Sequence, residues 1–143
     1  MNIEELYTPE VLALACDIPR LGRLDRPDAT ASLRSRLCGS RITVDLKLAG
    51  DTVSDFAQQV EACALAQASA ALLGRHVTGC TDEELHAVRD ALRAMLKEGA
   101  PPPAGRWKEL AVFLPVRDVP ARHDSVLLPF DAVCRALEEA RKR

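Results

Sequence analysis

The sequence predicts an α+β domain in which a three-stranded antiparallel meander sheet is covered on one face by helices. Three observations carry that prediction. Between residues 31 and 56, apolar side chains alternate with polar ones in three short runs divided by turn residues. Both flanks instead repeat apolar side chains at helical spacing, and this segregation of strands from helices is the α+β order. Finally, 143 residues with 48% hydrophobic side chains suffice for a single domain, residues 1–143, whose folding removes roughly two thirds of the unfolded chain's surface from water.

The elements follow in order. "NIEELYTPEVLALA" at residues 2–15 has helical spacing, and Pro9 marks a helix start near position 8, because its fixed φ and missing N–H suit the first turn. "DIPRLGRLDRPDAT" is rich in proline and alternating charge and reads as an irregular surface connection. Leu33, Ser35 and Leu37 then alternate against charged neighbours, as do Ile42, Val44, Leu46 and Leu48. Cys38 and Gly39 form the turn between these runs, and "AGD" at 49–51 forms the next, before "TVSDF". "EACALAQASAALLG" has no β-branched residue after Cys63 and predicts a helix from there to a terminating Gly74, its small side chains allowing close approach to the sheet. "TDEELHAVRDALRAMLKEG" carries a Thr81 cap, acids in its first turn, and Lys97 and Gly99 at its close. "APPPAGR" is a stiff loop and "WKELAVFLPV" a short apolar helix or turn. A last helix begins near Pro120 and is kinked or restarted at Pro129.

Charge and composition exclude several function classes. The net charge is −2 with no long basic block, so nucleic acid is not an expected partner. No apolar run reaches the ~18 residues of a membrane span, and "MNIEELY" lacks a signal peptide's design; the expectation is no membrane and a cytoplasmic location. The five cysteines, Cys16, Cys38, Cys63, Cys80 and Cys134, are odd in number and form no C-x-x-C pair, which fits reduced thiols better than a disulfide framework or zinc ribbon. His76 and His86 read as surface residues, and Cys134 as core.

Three segments together resemble the U-type iron–sulfur cluster assembly scaffolds, the family of IscU, SufU and the NifU N-terminal domain. "LCGSRITVDLKL" is similar to that family's first-cysteine turn, C-G-D before a strand. "VSDFAQQVEACALAQASAALLGR" is similar to its second motif, a strand through phenylalanine to Gly-Cys and a small-residue helix. "FLPVRDVPARHDSVLLPFDAVCRAL" is similar to its third, P-x-R-x-x-C before a helix. The resemblance implies Cys38 and Cys63 as cluster-binding thiols. It also places Ser40 at the family's carboxylate and Ser125 at its third cysteine, both poor ligands for soft metals. A helix N-terminus favours thiolate, which suits Cys63.

A set of Cys38, Cys63, His123 and Asp124 is chemically acceptable to zinc, provided the first turn holding His123 and Asp124 is irregular, since successive helical side chains point about 100° apart. The competing reading of His123 and Asp124 is a capping and dipole pair. The resemblance therefore implies a non-enzymatic scaffold that holds a transient iron–sulfur cluster or zinc. It receives sulfur from a cysteine desulfurase and has apo-protein cluster acceptors as further partners. Two alternatives stay open: a metal-free adaptor or regulator of the assembly machinery, and a cysteine nucleophile paired with His123.

Overall fold

The computed structural model describes residues 3–36 and 39–142. A 3-10 turn at Ile3–Leu6 leads into helix α1, Pro9–Ala15, whose Thr8 cap accepts a hydrogen bond from the Val11 N–H at 3.2 Å. The irregular connection that follows is not free at the surface. Gly22 N–H donates to the Gln58 carbonyl at 2.8 Å and Gln58 N–H donates to the Arg20 carbonyl at 2.9 Å, so the segment lies parallel along the sheet's edge. A strand edge that would otherwise offer open backbone groups is thereby paired.

The predicted meander is present, in order β1 (Ala29–Arg34), β2 (Arg41–Ala49), β3 (Thr52–Glu61), all antiparallel. Two boundaries differ from expectation. The first strand begins two residues early and ends at Arg34, leaving Ser35 in the turn. The third runs five residues past Phe56 because Gln58, Gln59 and Val60 still pair with Val44, Thr43 and Ile42. Cross-strand register puts Ala31, Val44, Gln58 and, one pair on, Ala29, Leu46 and Phe56 on a single face. Helices pack onto this face and bury it.

Helix α2 (Ala64–His76) occupies the centre, with buried side chains around most of its circumference. Gly74 does not end it. A Cβ there would fall 2.8 Å from Gln58 Nε2 and 2.9 Å from Pro19 Cγ. The glycine thus serves a close approach: Gln58 Nε2 donates to the carbonyls of Pro19 and Ala70, each at 3.1 Å. Helix α3 (Asp82–Lys97) follows with its Thr81 cap in place, Oγ1 accepting from Glu84 N–H at 3.1 Å.

After the proline loop, Gly105–Asp118 forms a long 3-10 helix. Its buried Trp107, Leu110, Phe113 and Val116 recur every third residue, the period of a helix with three residues per turn. A short turn at Pro120–Arg122 precedes helix α4, His123–Arg141. The restart expected at Pro129 is absent: α4 continues through that proline, whose ring is buried among core neighbours. Tertiary packing on β1, α2 and α3 holds the helix together across it.

Candidate functional site

The site is built where a turn and two helix starts meet. β3 ends at Glu61 and α2 begins at Ala64, leaving Cys63 as the N-cap with extended φ −67°, ψ 165° and no side-chain capping hydrogen bond. Its thiol is half-buried and reduced. The Cys63 N–H donates to Ser40 Oγ at 3.0 Å, so Ser40 accepts from another segment the N-cap residue's own N–H, the bond that the Glu or Gln of a capping box ordinarily makes. Ser40 itself is buried.

Ser40 closes the β1–β2 turn. Ser35 N–H donates to the Ser40 carbonyl at 2.8 Å and Gly39 N–H to the Ser35 carbonyl at 3.1 Å, with Gly39 at φ +70°, a left-handed conformation that suits glycine. The turn that carries Cys38 in sequence is therefore fastened to the start of α2. Leu37 and Cys38 lie outside the described residues.

The start of α4 is tied to the same helix. Ser69 Oγ, on α2, donates to the Val126 carbonyl at 2.6 Å, and Ser125 in the first turn of α4 is buried. His123 is buried too, with Nε2 3.0 Å from the carbonyls of both Val116 and Arg117. Two carbonyl acceptors put the proton on Nε2, and the ring anchors α4 to the end of the 3-10 helix. Asp124 is exposed and sits 3.9 Å from Lys97 Nζ. His123 has helical φ −57°, ψ −45°, so the first turn is regular. The joint use of His123 and Asp124 as metal ligands is corrected on that ground: consecutive side chains diverge by about 100°, one into the interior and one into solvent. No group of three or more His, Cys, Asp or Glu side chains that could hold a metal occurs among the described residues.

The other thiols and histidines are accounted for structurally. Cys134 is buried as expected, and burial pushes its thiol up to about 12. Cys80 is buried, with Sγ donating to the His76 carbonyl at 3.1 Å and accepting from Arg106 Nη1 at 3.0 Å; burial raises this thiol as well. Cys16 is exposed. His76 is only partly exposed, edge-on to Trp107 at 5.5 Å and 3.2 Å from Glu109, and His86 pairs with Asp82 at 2.7 Å.

A family model described as "NifU-like N terminal domain" matches residues 6–111. The chain belongs to this family. It is the U-type scaffold family to which the three motifs pointed, and the match spans the first two of them. The crystal structure of a nitrogen-fixing NifU-like protein (N-terminal) from Brucella abortus extends the likeness over the third: it is 46% identical, the alignment covers 99% of this chain and 98% of that one, and the TM-score is 0.95. The iron–sulfur cluster assembly scaffold protein IscU of Thermotoga maritima is 24% identical over 139 residues, 97% of each chain. A candidate SUF-system scaffold from Fervidobacterium islandicum shares the fold, with TM-score 0.87 at 20% identity over 95% of this chain and 99% of that one.

Against the NifU-like frame, two residues that fix the site were passed over as positioning groups. Ser69, hidden within an alanine run, links α2 to α4, and Ser40, read only as a lost ligand, holds Cys63. A serine inside an otherwise apolar helix face was the available signal for the first; nothing local signalled the second. No helix of the described residues is long and apolar enough to cross a membrane.

Proposed function

We propose that this chain is an iron–sulfur cluster assembly scaffold in which Cys38 and Cys63 hold the nascent cluster. The observation that carries the reading is the 3.0 Å bond from Cys63 N–H to Ser40 Oγ. It draws the turn of the first cysteine and the helix start of the second toward one place, while leaving the Cys63 thiol partly accessible. Cys63 accepts sulfur when its thiolate attacks the outer sulfur of a desulfurase persulfide, forming a Cys63 persulfide and releasing the desulfurase thiolate. The protein turns over no substrate of its own. Two thiols from one chain are half of a four-ligand set, so the cluster is held briefly and passes to apo-protein acceptors; zinc at the same pair needs two further ligands.

The test is reconstitution with a cysteine desulfurase, cysteine, ferrous iron and a dithiol reductant that brings the persulfide sulfur to sulfide, followed by visible absorption. Wild type develops cluster absorbance, and Cys38→Ser and Cys63→Ser each abolish it. Absence of cluster in the wild type overturns the proposal. A second reading, a metal-free adaptor, draws on the engagement of Ser40 with the backbone and the burial of Ser125. It requires that the doubly substituted Cys38→Ser/Cys63→Ser protein bind the desulfurase as tightly as wild type while no cluster forms on either.

A further inference from the structure

The sheet's two edges are finished differently. Along β3 the outward backbone groups are taken: Gln58 exchanges bonds with Arg20 and Gly22, and Val53 N–H donates to the Cys80 carbonyl while the Val53 carbonyl accepts from Gly79 N–H, each at 2.9 Å. β1 is the other edge. Hydrogen-bonded pairs alternate along an antiparallel ladder. Ser35 N–H donates to the Ser40 carbonyl, so Leu33, Ala31 and Ala29, at two-residue steps from Ser35, turn their backbone groups toward β2. Those of Thr30, Ser32 and Arg34 therefore point away from the sheet. Nothing among the described residues hydrogen-bonds to them.

Open edges in folded proteins are ordinarily blunted by proline, a bulge, an inward-pointing charge or a covering segment. β1 shows none of these among the described residues. Its six residues, "ATASLR", contain no proline, its register with β2 is unbroken, and its inward side chains are Ala29, Ala31 and Leu33. The strand is open to another, and its own sequence specifies which. Two copies pair antiparallel about a two-fold axis only in registers that keep side chains on their proper faces. Near full overlap that leaves two, centred on Ala31 or on Ser32. Centred on Ser32, Arg34 falls opposite the partner's Thr30. Centred on Ala31, it falls opposite the partner's Asp28, and the two-fold repeats that pairing at the other end. Arg34 and Asp28 are both exposed, and neither forms an ion pair among the described residues; Asp28 spends one carboxylate oxygen on the Leu48 N–H at 2.7 Å. Opposite charges facing each other across strands favour the Ala31 register.

We propose that a second copy of this chain docks on β1, antiparallel and centred on Ala31, joining two three-stranded sheets into one continuous sheet. Thr30 and Ser32 of each copy exchange backbone hydrogen bonds with the partner's Ser32 and Thr30, and Arg34 meets the partner's Asp28 at both ends. On the helix-covered side Leu33 lies across from the partner's Ala29. The interface is a short ladder, in the small class whose complexes are weak and concentration-dependent. The two Ser35 residues, where the β1–β2 turns begin, stand roughly 26 Å apart along the strands, so the candidate sites lie at opposite ends of the joined strands. The inference does not depend on cluster binding.

The test is analytical ultracentrifugation of the full chain from micromolar to millimolar concentration, joined to amide hydrogen exchange followed by NMR. The average mass rises from 15.6 kDa toward twice that value, and the amides of Thr30, Ser32 and Arg34 gain protection as it rises. Those of Ala31 and Leu33, bonded to β2, are protected at every concentration. Ser32→Pro removes an N–H that serves no bond within the chain, and proline is tolerated on that side of an edge strand; the variant keeps its circular dichroism spectrum and stays monomeric. Arg34→Glu, a surface change that sets a second acid opposite the partner's Asp28, weakens the dimer about tenfold. A monomer at millimolar concentration overturns the proposal and leaves the edge to an extended segment of another protein. A dimer of undiminished affinity in both variants, or one that protects amides elsewhere, puts the interface on another surface and overturns it equally.

Discussion

The two ends of the β1–β2 hairpin treat buried polar groups in opposite ways. At the far end from the thiol turn, Asp45 is fully buried on the outer face of the sheet and receives four donors. These are Arg23 Nε at 2.6 Å, Arg23 Nη2 at 3.1 Å, Leu24 N–H at 3.0 Å and Thr30 Oγ1 at 2.6 Å. At the turn end, the Ser35 hydroxyl and one Asp131 oxygen have none. The first arrangement pins a connecting segment onto the sheet and is complete within the chain. The second is incomplete, and it lies beside the turn where chemistry is expected.

Breaking the complete end should have the largest effect. Asp45→Ala strands the Leu24 N–H and Thr30 hydroxyl and lowers stability by about 3 kcal/mol, read as a reduced urea midpoint. The same carboxylate predicts an acid signature. Burial alone would raise it, but the hydrogen bonds from Arg23, Thr30 and Leu24 and the charge of Arg23 outweigh burial and depress it. Its stabilisation is therefore present above the unfolded aspartate value of about 3.9 and disappears as pH falls through the lower folded value. Asp45→Asn should flatten that part of the stability–pH curve, and an unchanged curve would refute the assignment.

Gly74→Ala tests Gln58, whose Nε2 is paired while its buried Oε1 is not. In a helix interior alanine is ordinarily favoured by about 1 kcal/mol. Here its Cβ meets Gln58 Nε2 and Pro19, so a loss of about 2 kcal/mol is expected by thermal denaturation. Smaller still, Ser40→Ala removes one hydrogen bond to Cys63 N–H and costs about 1 kcal/mol, together with a measurable change in Cys63 alkylation rate. Ser35→Ala deletes a hydroxyl that pairs with nothing and should leave stability within about 0.5 kcal/mol of wild type. A large loss there would erase the contrast between the hairpin's two ends.

Much of this architecture was legible because its determinants are local. Alternation gave the meander, Thr81 and the acids after it gave α3, and Pro9 gave the start of α1. The errors arose where a distant partner decides. Gly74 looks like a helix stop until Gln58 and Pro19 are seen pressed against it. Pro129 looks like a break until its ring is seen in the core. At the candidate site, the motifs located Cys63 and the serine replacements, but not where His123 points. Its ring is claimed by the Val116 and Arg117 carbonyls, seven and six residues earlier, a contact no spacing rule encodes. The 3-10 helix is the opposite case: its period of three stood in the sequence and was read only as a helix or turn.

The burial of Cys80 and Cys134 carries a consequence for selectivity. Both thiols are kept protonated by their surroundings and shut away from reagents, so neither competes for an electrophilic sulfur atom or a soft metal ion arriving from outside. A chain with five cysteines thus conducts its chemistry as though it had fewer, the interior acting as insulation around atoms that would otherwise divert the cargo.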